Sequence, residues 1–580
     1  MSTLKDLRKF KGLTQAECAK IVGVPLRTYQ NYENDDKKVD TYKYYYIVQK
    51  LVSYGRQLSE TYVLHDSGSK HEEMLGVSFI MVGKKLKECI DSTKGYKKRF
   101  CYEGLKWFIE NEQSNKVCML YGLRRTGKTT LLFQMMSELP LNQVAYIKIT
   151  RNDTMSSLTN SLKMLVDHGY KYVFIDEITL LEDFINTSSV LSDIYSIMGL
   201  KIVLSGTDSL GFELASRNEL YDRCVMIHTT YISFKEYSYL LGIDSIDKYI
   251  EYGGTLMKEN VQIKDINHYN LVNSFKDFES TKKYIDTAIA HNIQHSILCD
   301  TYGSRYDLLK ELYEAGELTN VINRIVEDIN HRFTMNVILK KFDSNDLGST
   351  KQLLTKEIDG SYIVGLTLIN KEEVINHLKK IISVKEKEDL LVNIKDYHLR
   401  EIEKYLVELN LVYKTPIIYE SGVTRDNIII SQPGMRYSIA KALVHSLLQD
   451  EYFKTLNIQV SNYIINKILE DVKGKMLEDI VLLEISKIRR DSSVFKFISD
   501  HGEIDIVVLD KTNYTVELFE VKHSSIIDNR QYKHLIDKDM CEVIENRFGK
   551  IVSKNVLYRG KNKKIEDINY LNVEEYLKNI

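Results

Sequence analysis

The chain has 580 residues, a formal net charge of −2, 43% apolar and 28% charged residues. That length predicts several domains, and the balance excludes a polycation and fits a soluble globular protein. Seven scattered Cys without C-x-x-C spacing fit reduced thiols in a cytoplasmic protein, and no apolar stretch suits a membrane span or a signal-peptide core, so no membrane partner is expected.

Residues 1–58 read as short helices. Leu4, Leu7 and Phe10 recur at helical spacing until Gly12 breaks the pattern. Thr14 with Glu17 three residues on is a capping box for a second helix, which turns Cys18, Ala19, Ile21 and Val22 inward. Gly23-Val24-Pro25 makes a turn, a third helix runs from Leu26 to about Asn34, and 42–51 is another apolar-rich helix. The run Leu13-Thr14-Gln15-Ala16-Glu17-Cys18-Ala19-Lys20-Ile21-Val22-Gly23-Val24, followed by Thr28-Tyr29-Gln30-Asn31-Tyr32-Glu33, resembles the helix-turn-helix of Cro and lambda-type repressors. The resemblance implies a DNA-binding domain whose second helix enters the major groove. By position it sets Arg27, Gln30 and Asn31 at the bases and Gln15 near a phosphate, with Arg27 suited to guanine and Gln30 to adenine. A small helical protein–protein module is the competing reading.

Residues 59–98 are the expected linker, with a loop at 66–70. Lys84, Lys85, Lys87, Lys94, Lys97, Lys98 and Arg99 stand against only Glu88 and Asp91, a run that reads as a solvated helix face or linker before a nucleic-acid contact. Residues 99–115 then form an amphipathic helix carrying Phe100, Leu105, Trp107 and Phe108.

The next segment carries the strongest pattern. Gly122-Leu123-Arg124-Arg125-Thr126-Gly127-Lys128-Thr129 fits G-x-x-x-x-G-K-[ST], a loop whose backbone N–H groups cradle a triphosphate, whose Lys reaches the outer phosphates and whose Thr hydroxyl binds Mg²⁺. An apolar run, Val117-Cys118-Met119-Leu120-Tyr121, precedes it and a helical run from Thr129 follows, the strand–loop–helix order of an anion site. Gly122, Arg125, Thr126, Gly127, Lys128, Thr129 and Thr130 are therefore the expected ATP-binding residues of the loop.

Strands at 144–149, Tyr172–Asp176 and 202–205 alternate with helical stretches such as 155–168, which predicts a parallel sheet with helices on both faces. Tyr172-Val173-Phe174-Ile175-Asp176-Glu177 is a buried strand delivering acids to its C-terminal edge, where ligands of α/β sheets bind. Asp176 fits the carboxylate near Mg²⁺ and Glu177 the base that orients and activates water; capping of the next helix is the competing reading. Downstream, Arg217 and Arg223 are candidates to stabilise transition-state charge, in cis or from a neighbouring subunit, and Arg223 is preferred because it leads into the strand Cys224–His228; a surface ion pair is the alternative.

The order Tyr121-Gly122-Leu123-Arg124-Arg125-Thr126-Gly127-Lys128-Thr129-Thr130, Ile175-Asp176-Glu177, Leu204-Ser205-Gly206-Thr207-Asp208-Ser209, Ile232-Ser233-Phe234-Lys235-Glu236-Tyr237 and Tyr252-Gly253-Gly254 resembles the archaeal-type AAA ATPases, prokaryotic ATPases that often end in a nuclease-like domain. The resemblance spans residues 99–580. It implies that the strand ending at Ser205 lies between the loop and acid strands and that Ser205 and Thr207 sense the γ-phosphate; satisfying turn backbone is the competing reading for either. It also implies an ATPase core at 99–242, a helical lid with connecting helices at 243–395, and homo-oligomers. Residues 396–450, read as helix, strand, strand and helix at 399–409, Val412–Tyr419, 427–430 and 437–448, resemble the winged helix of these ATPases.

The last unit, 451–580, holds a second constellation. Gly474-Lys475-Met476-Leu477-Glu478 opens a helix, and a hairpin follows with Asp505 on its first strand and Glu520-Val521-Lys522 on its second. By the two-residue period Asp505 shares a face with Val507 and Leu509, and Glu520 with Lys522. Carboxylates among apolar neighbours are costly unless they hold a cation or a partner. Asp505 and Glu520 would hold Mg²⁺, Lys522 would position the attacking water, and Glu478 would complete the shell or orient a ligand. A plain ion pair of Lys522 with either acid is the competing reading. The pattern resembles the restriction-endonuclease-like signature, which Gln531 also suits. Glu503 and Glu517 read as exposed charges, and His501 and His523 as surface histidines.

The expected molecule is multidomain: an α helix-turn-helix, an α/β P-loop (AAA-type) ATPase with a helical lid, a winged helix and an α/β restriction-endonuclease-like domain. Its expected function is that of a DNA-associated ATPase using ATP and Mg²⁺, with a Mg²⁺-dependent nuclease-like C-terminal domain, in defence or DNA maintenance. The alternative is a nucleotide-switched transcription regulator whose nuclease fold only binds DNA.

Overall fold

The computed structural model describes residues 8, 14–22, 24–34, 47, 76–111, 115–217, 219–256, 275–290, 307–343, 396–449, 453–454 and 458–580. The helix expected from Leu4 to Phe10 and the one at 42–51, except Arg8 and Ile47, lie outside the described residues, as do the 66–70 loop and much of 243–395.

Two short helices, α1 (Gln15–Val22) and α2 (Leu26–Asn34), follow the sequence signals closely. Thr14 N–H donates to Glu17 Oε2 at 2.7 Å and Glu17 N–H to Thr14 Oγ1 at 3.3 Å, the reciprocal capping box. Cys18, Ala19, Val22 and Tyr29 are buried between the helices.

A six-stranded sheet forms from β1 (Ile80–Met81), β2 (Val117–Tyr121), β3 (Val144–Lys148), β4 (Tyr172–Asp176), β5 (Lys201–Gly206) and β6 (Cys224–His228), in the order β1-β3-β4-β5-β2-β6. All pairs are parallel except β1 with β3. A parallel sheet is covered on both faces, so its strands are apolar runs without alternation; every residue of β2 is buried. Leu86 and Ile90 of α3 (Gly83–Asp91), Leu105 and Phe108 of α4 (Tyr102–Glu110), and Leu131 and Leu132 of α5 (Lys128–Met136) pack on one face. Leu158 and Leu162 of α6 (Met155–Asp167) and Phe212 and Leu214 of α7 (Ser209–Arg217) pack on the other.

The expected linker therefore needs correction from residue 76 onward. β1 adds an antiparallel edge to the sheet, and Ser78 N–H donates to Asp153 Oδ1 at 2.7 Å. Trp107 and Phe100, expected on the apolar helix face, are 47% and 46% exposed.

After β6 come α8 (Phe234–Leu241) and α9 (Ile246–Tyr252), then α10 (Phe278–Ile285) and the long α11 (Leu318–Asp343). An eight-stranded sheet follows, in the order β13-β14-β12-β11-β10-β9-β7-β8. Its members are β7 (Val412–Tyr419), β8 (Thr424–Ile430), β9 (Ser492–Ser499), β10 (Gly502–Asp510), β11 (Thr515–Val521), β12 (Lys550–Tyr558), β13 (Lys563–Ile565) and β14 (Ile568–Asn572). β7 and β8 are the hairpin of the expected winged helix, between α12 (Asp396–Glu408) and α13 (Pro433–Ser446). The hairpin is no free wing: Ile417, Ile418 and Tyr419 of β7 pair in parallel with Lys496, Phe497 and Ile498 of β9. One sheet thus crosses the boundary expected at residue 450. Gly474 does not open a helix either; it lies inside the 31-residue α14 (Ile458–Ile488), where no Cβ-sized clash demands glycine. Among the described residues no helix is long and apolar enough to cross a membrane.

The first sheet's trailing helices dock on the C-terminal unit. Phe234, Tyr237 and Tyr249 share one apolar core with Ile468, Met476 and Ile480 of α14. Polar pins surround it: Ile246 N–H to Glu574 Oε1 at 2.9 Å, Arg559 to Asp247 at 2.8 Å and Arg436 to Asp479 at 2.7 Å. His523, expected at the surface, is partly buried here with Nε2 2.7 Å from Asp247 Oδ1.

Glu484 of α14 caps the start of α8, accepting from Phe234 N–H at 2.5 Å. Burial raises its carboxyl from 4.5 to about 8 against the pull of that N–H. The folded chain keeps a proton there that the unfolded chain releases above 4.5, so this contribution to stability is complete below 4.5 and is lost as pH rises toward about 8. Each pH unit in the window costs about 1.4 kcal/mol at the limit of full ionisation of the unfolded carboxyl. Glu484→Gln retains an oxygen for the Phe234 N–H. It is expected to melt above wild type at pH 8, with the two curves meeting near pH 4; parallel melting curves across that range would contradict the assignment.

Candidate functional site

The phosphate loop leaves β2 and enters α5. Gly122 has φ 143° and a Cβ there would lie 2.6 Å from Thr229 Oγ1, while Gly127 has φ 88° as the residue before the helix. Both positions need glycine for backbone conformation, and Gly122 also for space.

Every carbonyl from Gly122 to Gly127 has a donor behind it. Lys128 Nζ donates to Gly122 O at 2.7 Å and to Leu123 O at 2.9 Å, and Thr126 Oγ1 also donates to Leu123 O. Tyr284 OH, on α10, donates to Arg124 O at 3.2 Å; Leu256 N–H to Arg125 O at 2.9 Å; Arg99 Nη1 to Thr126 O at 2.8 Å; and Leu131 N–H to Gly127 O at 2.9 Å. With the loop carbonyls engaged, the N–H groups at the start of α5, which have no intrahelical acceptor, form the N-terminus at which anions bind. Lys128 is 6% exposed, and burial brings its ammonium down to about 8 although Glu177 and Asp176 pull it up. A cavity of about 640 Å³ adjoins the loop, lined by Tyr96, Arg125, Thr130, Gln134, Leu241 and Leu256; its size suits a nucleoside.

β5 pairs with β2 on one side and β4 on the other, the arrangement expected for the strand ending at Ser205. Asp176 is 1% exposed and accepts from Thr129 Oγ1 at 3.0 Å, from Tyr146 OH at 2.9 Å and from Ser205 Oγ, with Lys148 Nζ 3.6 Å away. Burial pushes its carboxyl up, but Lys148 and the three hydroxyls outweigh burial and hold it below the usual range. Glu177 follows at φ 58°, with Thr207 Oγ1 3.3 Å from its Oε2. The structure thus brings Lys128, Thr129, Asp176, Glu177, Ser205 and Thr207 to one sheet edge. Thr129 Oγ1 and Asp176 Oδ2, adjacent hard oxygens beside the loop, fit a Mg²⁺ ion.

Arg223 is a correction. It precedes β6, so it sits at the N-terminal edge of the parallel sheet, the opposite end from the loop, and its half-exposed guanidinium pairs with Asp193 at 2.6 Å. It does not reach the phosphate loop of its own chain. Arg217 pairs with Glu213 within α7.

Residues 114–238 match the AAA domain family. No curated protein matches the chain. Among solved structures, a katanin structure described for its self-assembly is 14% identical, covering 38% of this chain and 68% of its own at a TM-score of 0.18. The Aeropyrum pernix Orc1 protein in complex with DNA is 12% identical, covering 62% of this chain and 94% of its own at a TM-score of 0.20. Neither superposes well enough to inform the fold of this chain. The matched AAA domain contains the phosphate loop, Asp176, Glu177, Ser205 and Thr207.

The second constellation converges around β10, β11 and α14. Lys522 Nζ lies 3.2 Å from Asp505 Oδ2 and 2.6 Å from Glu520 Oε2, and Val521 N–H donates to Asp505 Oδ2 at 2.9 Å. The alternation of β10 is interrupted, because its register against β9 shifts between Ile504 and Val507, and these two residues enter the same core. Asp505 and Glu520 are 6% and 3% exposed. Burial would raise the Asp505 carboxyl, but Lys522 and Lys496 hold it well below the usual range; burial and the Asp505 charge push Glu520 well above it.

Sequence reasoning missed Lys496 of β9. Its ammonium, 5% exposed with the residue as a whole, is in contact with Glu503, 3.3 Å from Glu478 Oε2 and 3.8 Å from Asp505 Oδ1. A Lys in Val494-Phe495-Lys496-Phe497 bears the same burial cost that singled out Asp505, so the signal was available. Glu503, expected exposed, is half-buried in this cluster, and Lys475 pairs with Glu478. The carboxylates whose oxygens lie within 4.8 Å of one another are Glu478, Glu503 and Asp505, so Glu503 joins the candidate metal set while Glu520 lies outside this tight group. Glu520 Oε1 is nonetheless buried without a hydrogen-bond partner among the described residues. That orphan oxygen and the all-oxygen donor set fit Mg²⁺. Gln531 lies in a short 3₁₀ helix after β11 (Asn529–Tyr532), where its Oε1 accepts from Asp528 N–H at 3.2 Å and its Nε2 donates to Ile526 O at 2.8 Å.

In the N-terminal helices Arg27 and Asn31 are exposed on α2, while Gln30 Nε2 donates to Gln15 Oε1 at 3.2 Å and Gln15 Nε2 to Glu33 Oε2 at 2.8 Å. The four expected DNA-contacting residues therefore lie on connected surface, two of them locked to each other.

Proposed function

We propose that the chain is an ATP-hydrolysing, DNA-associated ATPase with a Mg²⁺-dependent nuclease-like C-terminal unit. The observation that carries the reading is the phosphate loop with its carbonyls tied back beside Asp176 and Glu177, inside a matched AAA domain. Lys128 and the α5 N-terminus bind the triphosphate, Ser205 and Thr207 hold the two acids in place, and Glu177 orients water and takes its proton. Thr129 and Asp176 would hold Mg²⁺, which when bound neutralises phosphate charge. Arg27, Gln30 and Asn31 face duplex DNA, with Gln15 at its backbone. Cytoplasmic location belongs to this reading through the scattered cysteines without C-x-x-C spacing, and homo-oligomers through the family resemblance.

In the C-terminal unit Glu478, Glu503, Asp505 and the free oxygen of Glu520 would hold a Mg²⁺ ion, and Lys522 orients water toward a phosphodiester. A second reading, a nucleotide-switched regulator whose nuclease-like fold only grips DNA, is favoured by one observation. With Glu520 keeping its proton, the carboxylates of Glu478, Glu503 and Asp505 are balanced by Lys475, Lys496 and Lys522 with no added ion.

A paired assay on the full chain separates these. ATP hydrolysis abolished by Lys128→Ala supports the ATPase. Mg²⁺-dependent DNA cleavage lost in Asp505→Ala and Lys522→Ala supports the nuclease; salt-sensitive DNA binding with no cleavage supports the regulator.

A further inference from the structure

Arg99 ends the basic run that reads as solvated, yet it is 5% exposed. Its guanidinium is fully engaged. Nε and Nη2 bind the two oxygens of Glu236 at 2.9 and 2.8 Å, a bidentate fork. Nη1 donates to Thr126 O at 2.8 Å and Thr229 O at 2.7 Å, and Nη2 to Tyr231 O at 3.0 Å. Glu236 is itself fixed: it lies in the first turn of α8, whose cap Ser233 Oγ accepts its N–H at 3.1 Å, and its Oε1 also accepts from Phe100 N–H at 2.7 Å.

One of these partners is the phosphate loop. A peptide unit is planar and trans, so a carbonyl held on one side turns the following N–H to the other. Arg99 on Thr126 O therefore aims the Gly127 N–H at the concave side of the loop. The same guanidinium reaches the segment after β6 and, through Glu236, helix α8. We propose that Arg99 is a positioning residue for nucleotide hydrolysis, setting the direction of the Gly127 N–H and fixing the loop to α8. This rests on the nucleotide reading of the loop. Lysine cannot substitute, because one ammonium lacks the planar fork that serves Glu236 and three carbonyls together.

The test uses the full chain with ATP, AMP and Mg²⁺, comparing wild type, Lys128→Ala, Arg99→Lys, Glu236→Gln and the double variant Arg99→Lys/Glu236→Gln. Loss of one charge-assisted hydrogen bond is expected to weaken ATP binding by Arg99→Lys about tenfold or more. AMP binding falls less, because a misdirected loop N–H acts on the outer phosphates, whereas general loosening of the fold would weaken both nucleotides alike. Glu236→Gln moves ATP binding in the same direction, and the double variant is no worse than Arg99→Lys alone. If Arg99→Lys fails to fold, Glu236→Gln carries the same ATP-against-AMP comparison. An unchanged ATP-to-AMP affinity ratio in the folded variants overturns the proposal while leaving the nucleotide reading intact. Wild type that binds ATP no better than Lys128→Ala overturns the nucleotide reading itself.

Discussion

Lys128→Ala is expected to eliminate measurable ATP binding, and Glu177→Gln to retain it while turnover falls about 10²–10⁴-fold, the range for a displaced general base. The two variants act on different steps. Lys128 is buried, holds the loop closed through Gly122 O and Leu123 O, and in the proposed reading supplies the positive charge for the outer phosphates. Removing it takes away both charge and loop geometry, so binding and hydrolysis fall together. Glu177 holds no loop atom. It stands past the end of β4 in a left-handed conformation beside Thr207, and Gln preserves that contact and the volume. Binding measured by titration and turnover measured by phosphate release separate the two. Equal losses of affinity in both variants would remove Glu177 from the chemistry and return it to the role of a turn residue. Asp176 gives a third, graded case. Its three hydroxyl partners and Lys148 keep it ionised in a buried setting, so Asp176→Asn is expected to reduce the Mg²⁺ dependence of ATP affinity more than affinity for ATP in EDTA.

Features written in contiguous residues were legible in the sequence, and features made by distant pairing were not. The loop, the acid pair at the end of β4 and the capping box at Thr14 each lie within a few residues, and their spacing carries the physics. The rule that ligands bind at the C-terminal edge of a parallel sheet located Asp176 correctly. The same rule, applied to Arg223, would have excluded it from the phosphate loop of its own chain, since that Arg precedes its strand. Arg99 was unreadable for the opposite reason. Its partners are at 126, 229, 231 and 236, and nothing local distinguishes it from the six lysines before it. The β7–β8 hairpin was visible as a hairpin, but its pairing with β9, across α13 and α14, is set by an edge that only the folded sheet supplies. Tyr146 and Lys148, which complete the Asp176 environment, lie on the neighbouring strand β3; an alternation count along that strand identifies them only once the order β3-β4 is known.

Lys496→Met offers the sharpest contrast at the C-terminal cluster. Methionine matches the length and volume of the lysine stem, so packing in β9 changes little, but Glu478, Glu503 and Asp505 lose the ammonium between them. Removing one partner of a buried ion pair costs about 3–5 kcal/mol, because the remaining charge stays buried without compensation. In EDTA the variant is therefore expected to melt well below wild type, or to recover stability only at lower pH, where the carboxylates protonate. Millimolar Mg²⁺ should then restore the melting temperature of Lys496→Met, since an ion that binds only the folded chain stabilises it by mass action. Wild type should respond less, its own lysine occupying part of the same field. The measurement, made without nucleotide so that the phosphate loop contributes no Mg²⁺ site of its own, decides between the two readings of this unit. Recovery by Mg²⁺, and its disappearance in Lys496→Met/Asp505→Ala, assigns the cluster to a cation and thereby to phosphodiester chemistry. A variant that stays destabilised at every Mg²⁺ concentration leaves Lys496 as a permanent internal counter-ion, and the C-terminal unit as a DNA grip whose acids serve the fold.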